Sequence, residues 1–219
     1  MSESNYVISM IYNCVISACS LAAVIGGAVI ASKRRQRLGV VYGLCFGALA
    51  CVLLQNIFYL SSYLIYGKLK ETFDIGDISL VGTVLFFIAT TASLYNRKCV
   101  KKSAAKAVVS VIISLIVCAG MLAYLYLTED SLEYEIICTV EMALCVLLLT
   151  YCILGLMNTK NGVDRYTAIF FGMVILFTLC FFSELVFDST AVRIVVYAIY
   201  CIDILGFLPV LERGLCHEC

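Results

Sequence analysis

Three carboxyl groups interrupt long apolar runs of this chain: Glu141, Glu184 and Asp203. An ionisable side chain carried away from water on a hydrophobic helix is costly, and it marks a ligand contact, a proton carrier or an ion ligand by default. Asp203 lies about ten residues into its run, near mid-depth, and Tyr200 precedes it by one turn. Glu141 lies roughly 9 Å from the nearer end of its run at the helical rise. Glu184 sits one turn from an end, with Asp188 on the same face and Arg193 across a short loop as an ion-pair partner. Gln55 and Asn56 add polarity at mid-depth in another run, with Tyr59 and Tyr63 one and two turns further on. A carboxyl as deep as Asp203, with no cation on any run near it, is expected to be protonated or hydrogen-bonded. Gln55, Asn56, Tyr200, Thr90 and Thr91 are its candidate partners. The group then serves either a ligand or proton, or an interhelical hydrogen bond alone.

The last four residues, Cys216, His217, Glu218 and Cys219, offer three metal ligands. A closed structural zinc site takes four, so Cys99 or a second chain would have to complete it, and an uncommitted tail is the simpler expectation. Juxtamembrane cysteines are also acylation sites. The chain's single histidine lies in this tail, which leaves no imidazole for acid–base work among the apolar runs. No run interior carries a lysine for a retinal Schiff base, and neither G-x-S-x-G nor H-E-x-x-H occurs. No cofactor is implied. The expectation is a non-enzyme; a carboxylate-only hydrolase using Asp203 and Glu141 is the one catalytic arrangement these residues leave open.

The elements that must hold these groups follow from composition. Of 219 residues, 63% are hydrophobic and 14% charged, and the mean hydropathy is +1.04. A soluble chain of this length has too little interior to bury so much apolar surface. Net charge is zero, which gives no support to nucleic-acid binding. Cutting at the charge clusters leaves seven runs of membrane-spanning length: Tyr6–Ala31, Leu38–Tyr66, Ile78–Tyr95, Ala107–Leu127, Ile136–Met157, Tyr166–Phe187 and Ile194–Leu211. The expected fold is therefore an all-α, seven-helix transmembrane bundle forming a single domain over 1–219, with no loop long enough for a folded soluble unit.

Basic residues set the orientation. Twelve of the 15 lysines and arginines fall on one face: Lys33, Arg34, Arg35 and Arg37, then Arg97, Lys98, Lys101, Lys102 and Lys106, then Lys160, Arg165 and Arg213. By the positive-inside rule that face is cytoplasmic, so the N-terminus is expected outside and the C-terminus inside, in a plasma membrane. The first run lacks preceding cations and carries four beyond it, which reads as an uncleaved anchor. Ten of the 13 cysteines lie inside the runs and none in an outer loop, so they are expected to pack as small apolar groups. Asp164 is expected to cap the sixth helix, and Asp74 and Asp77 the third.

Gly39, Gly43 and Gly47 recur every fourth residue in the second run, and Ala18, Ala22 and Gly26 make a similar stripe in the first, with Ala23 and Gly27 alongside. Small residues at this spacing let another helix approach closely. Packing of the first two helices is the simple reading and homodimerisation the sharper one. Runs one to three and five to seven share direction around the fourth. That topology resembles the small sugar transporters built 3+1+3, although their Pro-Gln signature is missing, and it also looks like small bacterial seven-helix sensor modules. The expected function is a sensor or accessory module that binds a small or lipidic ligand and acts through a cytoplasmic or membrane partner. The second reading is a small-solute or proton-coupled transporter centred on Asp203.

Overall fold

A computed structural model describes residues 3–33, 39–66, 75–98, 103–128, 132–159, 163–186 and 190–213. They form seven α-helices: α1 (Glu3–Lys33), α2 (Val40–Tyr66), α3 (Ile75–Lys98), α4 (Ala104–Thr128), α5 (Leu132–Met157), α6 (Arg165–Val186) and α7 (Thr190–Arg213). All seven are long and apolar enough to cross a membrane. The reason is local. In hydrocarbon every backbone amide and carbonyl must bond within its own segment, and a helix does so. The chain is a multi-pass, all-α membrane bundle whose lipid-facing surface is apolar.

Helix ends depart from the sequence expectation in an instructive way. Cutting at charges makes α3 and α7 too short, because Asp77, Arg97, Lys98 and Arg213 are themselves helical. A charged residue in a terminal turn complements the helix dipole and stays helical. Asp77 thus lies inside the first turn of α3 and is not its cap, while Asp74 lies outside the described residues. Asp164 does cap α6. Its Oδ1 accepts the Thr167 amide at 2.8 Å, and its carbonyl accepts the Ala168 amide at 3.0 Å. Leu38 is outside the described residues and Gly39 precedes α2, its carbonyl accepting the Tyr42 and Gly43 amides.

The helices pack as two rows of three. α1 contacts α2 and α2 contacts α3; α5 contacts α6 and α6 contacts α7. The rows join along α1–α7 and α3–α5, with slighter contacts between α2 and α7 and between α3 and α6. Exchanging α1, α2 and α3 for α5, α6 and α7 carries every one of these packed pairs onto another. α4 stands outside the rows against α5 and, to a lesser extent, α6. Only 17% of its apolar stretch is buried, against 50% for α3.

One rim ties the helix ends together through basic side chains. Lys98 at the end of α3 donates to Asp164 Oδ2 at 2.9 Å before α6. Lys106 at the start of α4 donates to the Met157 carbonyl at 2.6 Å and to Asn158 Oδ1 at 3.1 Å at the end of α5. These contacts place the beginnings of α4 and α6 and the ends of α3 and α5 on the same side, called here the basic rim. At the far side Tyr126 of α4 meets Thr139 of α5 at 3.0 Å between hydroxyls.

Candidate functional site

Asp203 and Glu141 are both buried, each about 4% exposed, on the two outer helices, α7 and α5, of the same row. Asp203 lies on the core face of α7 with Tyr200, Ile204 and Phe207. Its surroundings along that face are aromatic. Tyr200 packs on Phe177 with ring centroids 5.1 Å apart, and Phe207 stacks on Phe87 at 5.4 Å. Phe87 also meets Phe177 and Phe170 edge-on at 5.4 and 6.4 Å. Such ring pairs add specific geometry to a large apolar area. They close the bundle from its middle toward the basic rim, and Asp203 stands at the border of this cluster.

Four of the five expected partners of Asp203 bond elsewhere. Asn56 donates to Ser20 Oγ at 3.1 Å, joining α2 to α1, and to the Val52 carbonyl at 2.8 Å. Thr90 donates to the Phe86 carbonyl at 2.7 Å and Thr91 to that of Phe87 at 2.8 Å. Helical threonines bond back to the preceding turn in this way. Gln55 donates to Tyr59 Oη at 3.3 Å. Asp203 Oδ2 has no hydrogen-bond partner among the described residues, and the same holds for Glu141 Oε1, Gln55 Oε1, Ser17 Oγ and Thr150 Oγ1. A buried polar atom left unpaired is expensive in a low-dielectric interior. By position along their helices, Ser17, Gln55 and Glu141 lie toward the end opposite the basic rim, Asp203 near mid-depth and Thr150 toward the basic rim. Asp77, in the first turn of α3, is within electrostatic range of Glu141.

Sequence spacing locates the buried carboxyls but does not bring all the expected residues together. Glu184 falls in the last turn of α6, and its side chain is outside the described residues, as are Asp188, Cys99, Cys216, His217 and Cys219. Among the described residues no three His, Cys, Asp or Glu side chains gather as a metal site.

The small-residue stripes need correction. Gly39 is the cap residue of α2 and not part of its face. A Cβ at Gly43 would meet nothing within 4 Å, so no helix is seated there. One at Gly47 would come 3.0 Å from the Phe86 ring of α3, so a ring and not a backbone lies opposite. In α1, Ala22 is exposed and Gly26 faces Leu208 of α7. The face turned to α2 is the one offset by a residue: Ala23 is fully buried, Gly27 lies against Phe46, and the Tyr42 hydroxyl donates to the Gly27 carbonyl. A spacing of four says which residues share a face, not what covers it.

One further feature escapes the sequence. A groove of about 380 Å³ runs along the α1–α7 seam, with Ile11, Tyr12 and Val15 on one wall and Tyr197, Ala198 and Cys201 on the other. Tyr12 and Tyr197 stack across it, nearly parallel at 9°. Its residues are separated by most of the chain, and no local signal announces them. Compared with known proteins, the chain matches no family model, no curated protein and no solved structure.

Proposed function

We propose that this protein is a plasma-membrane sensor or receptor-like accessory module, which takes a small or lipidic ligand from the outer side and passes its state to a partner protein. The observation that supports it most is the division of the interior. Ser17, Gln55 and Glu141 keep unpaired buried oxygens in one half, Asp203 keeps one near mid-depth, and the rings of Phe87, Phe170, Phe177 and Phe207 run from mid-depth into the other half. A ligand with hydrogen-bond donors would gain what these oxygens lack, and it would stop at the rings. With the basic rim cytoplasmic, the polar half faces outward and Lys98 and Lys106 hold together the face on which a partner would dock. In this reading the protein catalyses no reaction.

Thiol accessibility in right-side-out and inverted vesicles tests the reading. Gln55→Cys is expected to react with a membrane-impermeant methanethiosulfonate from outside only, and Thr91→Cys, beyond the rings, from neither side. Reaction of Gln55→Cys from the cytoplasmic side would mean a path through the bundle and would sink the sensor reading. Failure to react from either side would remove the interior site.

One observation favours a proton-coupled transporter as the second reading: an unpaired, buried carboxyl at mid-depth of α7. Asp203→Asn separates the two. Asn keeps the shape and loses only ionisation, so a transporter would lose proton movement in proteoliposomes while folding normally. A structural Asp203 would show no difference.

A further inference from the structure

Polar side chains of α1, α2 and α7 meet at one level of the bundle. Two contacts across the α1–α7 seam fix how these helices lie along each other: Tyr12 stacks on Tyr197, and Gly26 faces Leu208. Residue number rises together along both, so the two helices run in the same direction. Asp203 lies about midway between Tyr197 and Leu208, and Ser17 and Ser20 flank the midpoint between Tyr12 and Gly26. Asp203 is therefore level with these serines to within about one helical turn of 5.4 Å. Asn56 donates to Ser20 Oγ at 3.1 Å, which brings Gln55 and Asn56 of α2 to the same height. α2 packs on α1 and touches α7 as well, so the three helices meet pairwise. Ser17, Ser20, Gln55, Asn56 and Asp203 are all buried.

What is left unmet at this level is one-sided. Ser17 Oγ, Gln55 Oε1 and Asp203 Oδ2 have no partner among the described residues; all are oxygens, and they come from three helices. Among the described residues no buried side chain is Lys, Arg or His. Buried charges are paired or coordinate metals, and hard cations take oxygen ligands, carboxylates and amide carbonyls among them. A proton would neutralise Asp203 but leave Gln55 Oε1, which can only accept, without a partner. One positive charge shared by the three oxygens satisfies all of them. A divalent ion would leave an excess charge in the membrane interior, which is costly. We propose that Ser17, Gln55 and Asp203 bind a dehydrated alkali-metal ion between α1, α2 and α7. The inference rests on reading these oxygens as a ligand site, and it names the class of ligand they take. The bound ion ties α7 to α1 and α2 across a seam that joins the two rows, so its occupancy selects one packing of them.

Thermal unfolding of the full chain in detergent tests the proposal, with sodium, potassium, methylammonium and choline chlorides compared at one ionic strength. Choline is too bulky to enter between packed helices and sets the baseline. The melting temperature is expected to rise by several degrees with the logarithm of sodium or potassium concentration, as it does when a ligand binds only the folded state. The stronger of the two responses identifies the ion. Asp203→Asn keeps the shape and loses the charge, so it should abolish the rise. Ser17→Ala should raise the half-saturating concentration several-fold and leave the choline baseline in place, which keeps the test decisive if Asp203→Asn does not fold. Thr150→Val removes an unpaired hydroxyl nearer the basic rim and should leave the rise intact. Equal melting temperatures in alkali and choline salts, a rise undiminished in Asp203→Asn and Ser17→Ala, or a response to methylammonium alone would overturn the proposal. Failure of the ion is distinct from failure of the interior site. Gln55→Cys reactive from outside, with no alkali response, removes the ion and keeps the site; an alkali response with Gln55→Cys unreactive supports the ion and removes entry of a larger ligand.

Discussion

Gly155→Ala tests whether the α5–α6 contact is as close as the structure requires. Gly155 is buried on α5, and a methyl group there would overlap the ring of Phe171 on α6. Phe171 is fully buried, so its ring cannot swing out to lipid, and α6 must shift or the ring must leave its rotamer. Overpacking of this kind costs about 1–3 kcal/mol. The substitution also removes the helical penalty of glycine, worth up to about 1 kcal/mol, so the raw effect mixes two signs. Gly172→Ala supplies the reference. It is a glycine of the α6 interior, next to Phe171 in sequence, and a Cβ there meets nothing within 4 Å. The propensity gain is common to both variants and cancels in their difference, which leaves the overlap alone. Gly155→Ala should therefore be less stable than Gly172→Ala by about 1–3 kcal/mol, or a melting temperature lower by some 2–4 °C per kcal/mol for a chain of this size. Thermal unfolding in one detergent at one concentration measures it. Equal melting temperatures would refute the close approach of α5 to α6.

Other outcomes follow from single contacts. Asn56→Ala should cost about 1 kcal/mol, and a double-mutant cycle with Ser20→Ala in detergent unfolding should return a coupling of about 0.6 kcal/mol; zero coupling would mean the α1–α2 hydrogen bond at 3.1 Å is not made. Burial works to raise the pKa of Asp164, but the Thr167 amide and the Lys98 ammonium outweigh it and hold the carboxyl below its ordinary value. Its stabilisation is then full above the unfolded value near 4 and lost as pH falls through the folded value, so unfolding against pH should show an acid-side loss that Asp164→Asn lacks. Gly43→Leu should change neither melting temperature nor oligomeric state, since its Cβ points into open space; a fall in either would return the second helix's stripe to the role of a packing face. A reporter fused after Cys219 should be active only in the cytoplasm, and activity outside would invert the orientation.

What the sequence made legible is what one solvent enforces. Helix number and rough position follow from the hydrocarbon thickness and the need to bond every backbone group internally, and those were readable from the charge clusters alone. The depth of Asp203 and Glu141 was readable for the same reason, because burial of a mid-span residue facing other helices needs no partner to be specified. Helix ends were less legible. Charge marks where hydrocarbon stops, yet Arg97 and Lys98 extend α3 beyond that point. The packing faces were the least legible. Ala22 with Gly26 and Ala23 with Gly27 satisfy the same spacing rule, and only the partner's shape, here Phe46 and Tyr42, decides which pair is inside.

The candidate sites divide along the same line. Thr90 and Thr91 could have been struck from the partners of Asp203 by their chemistry, since a helical threonine has an acceptor one turn back. The α1–α7 groove gives no such local signal: Tyr12 and Tyr197 are ordinary span residues by sequence, and only the packing of the first helix on the last brings them together. Function in such a bundle therefore resides where local rules are left unsatisfied. Most buried hydroxyls here bond to their own helix: Ser79, Thr83, Ser110, Ser114 and Thr178 all donate to a carbonyl three or four residues back. Helix geometry satisfies those groups without any tertiary partner, and so they carry no information about a ligand. The oxygens of Asp203, Glu141 and Gln55 that remain unpaired cannot be satisfied by the backbone of their own helix, because a side-chain acceptor finds no free amide within a continuous helix interior. A donor for them must come from another side chain, from water or from a ligand. Among the described residues no helix supplies it, and that is the physical content of treating these three side chains as a binding site.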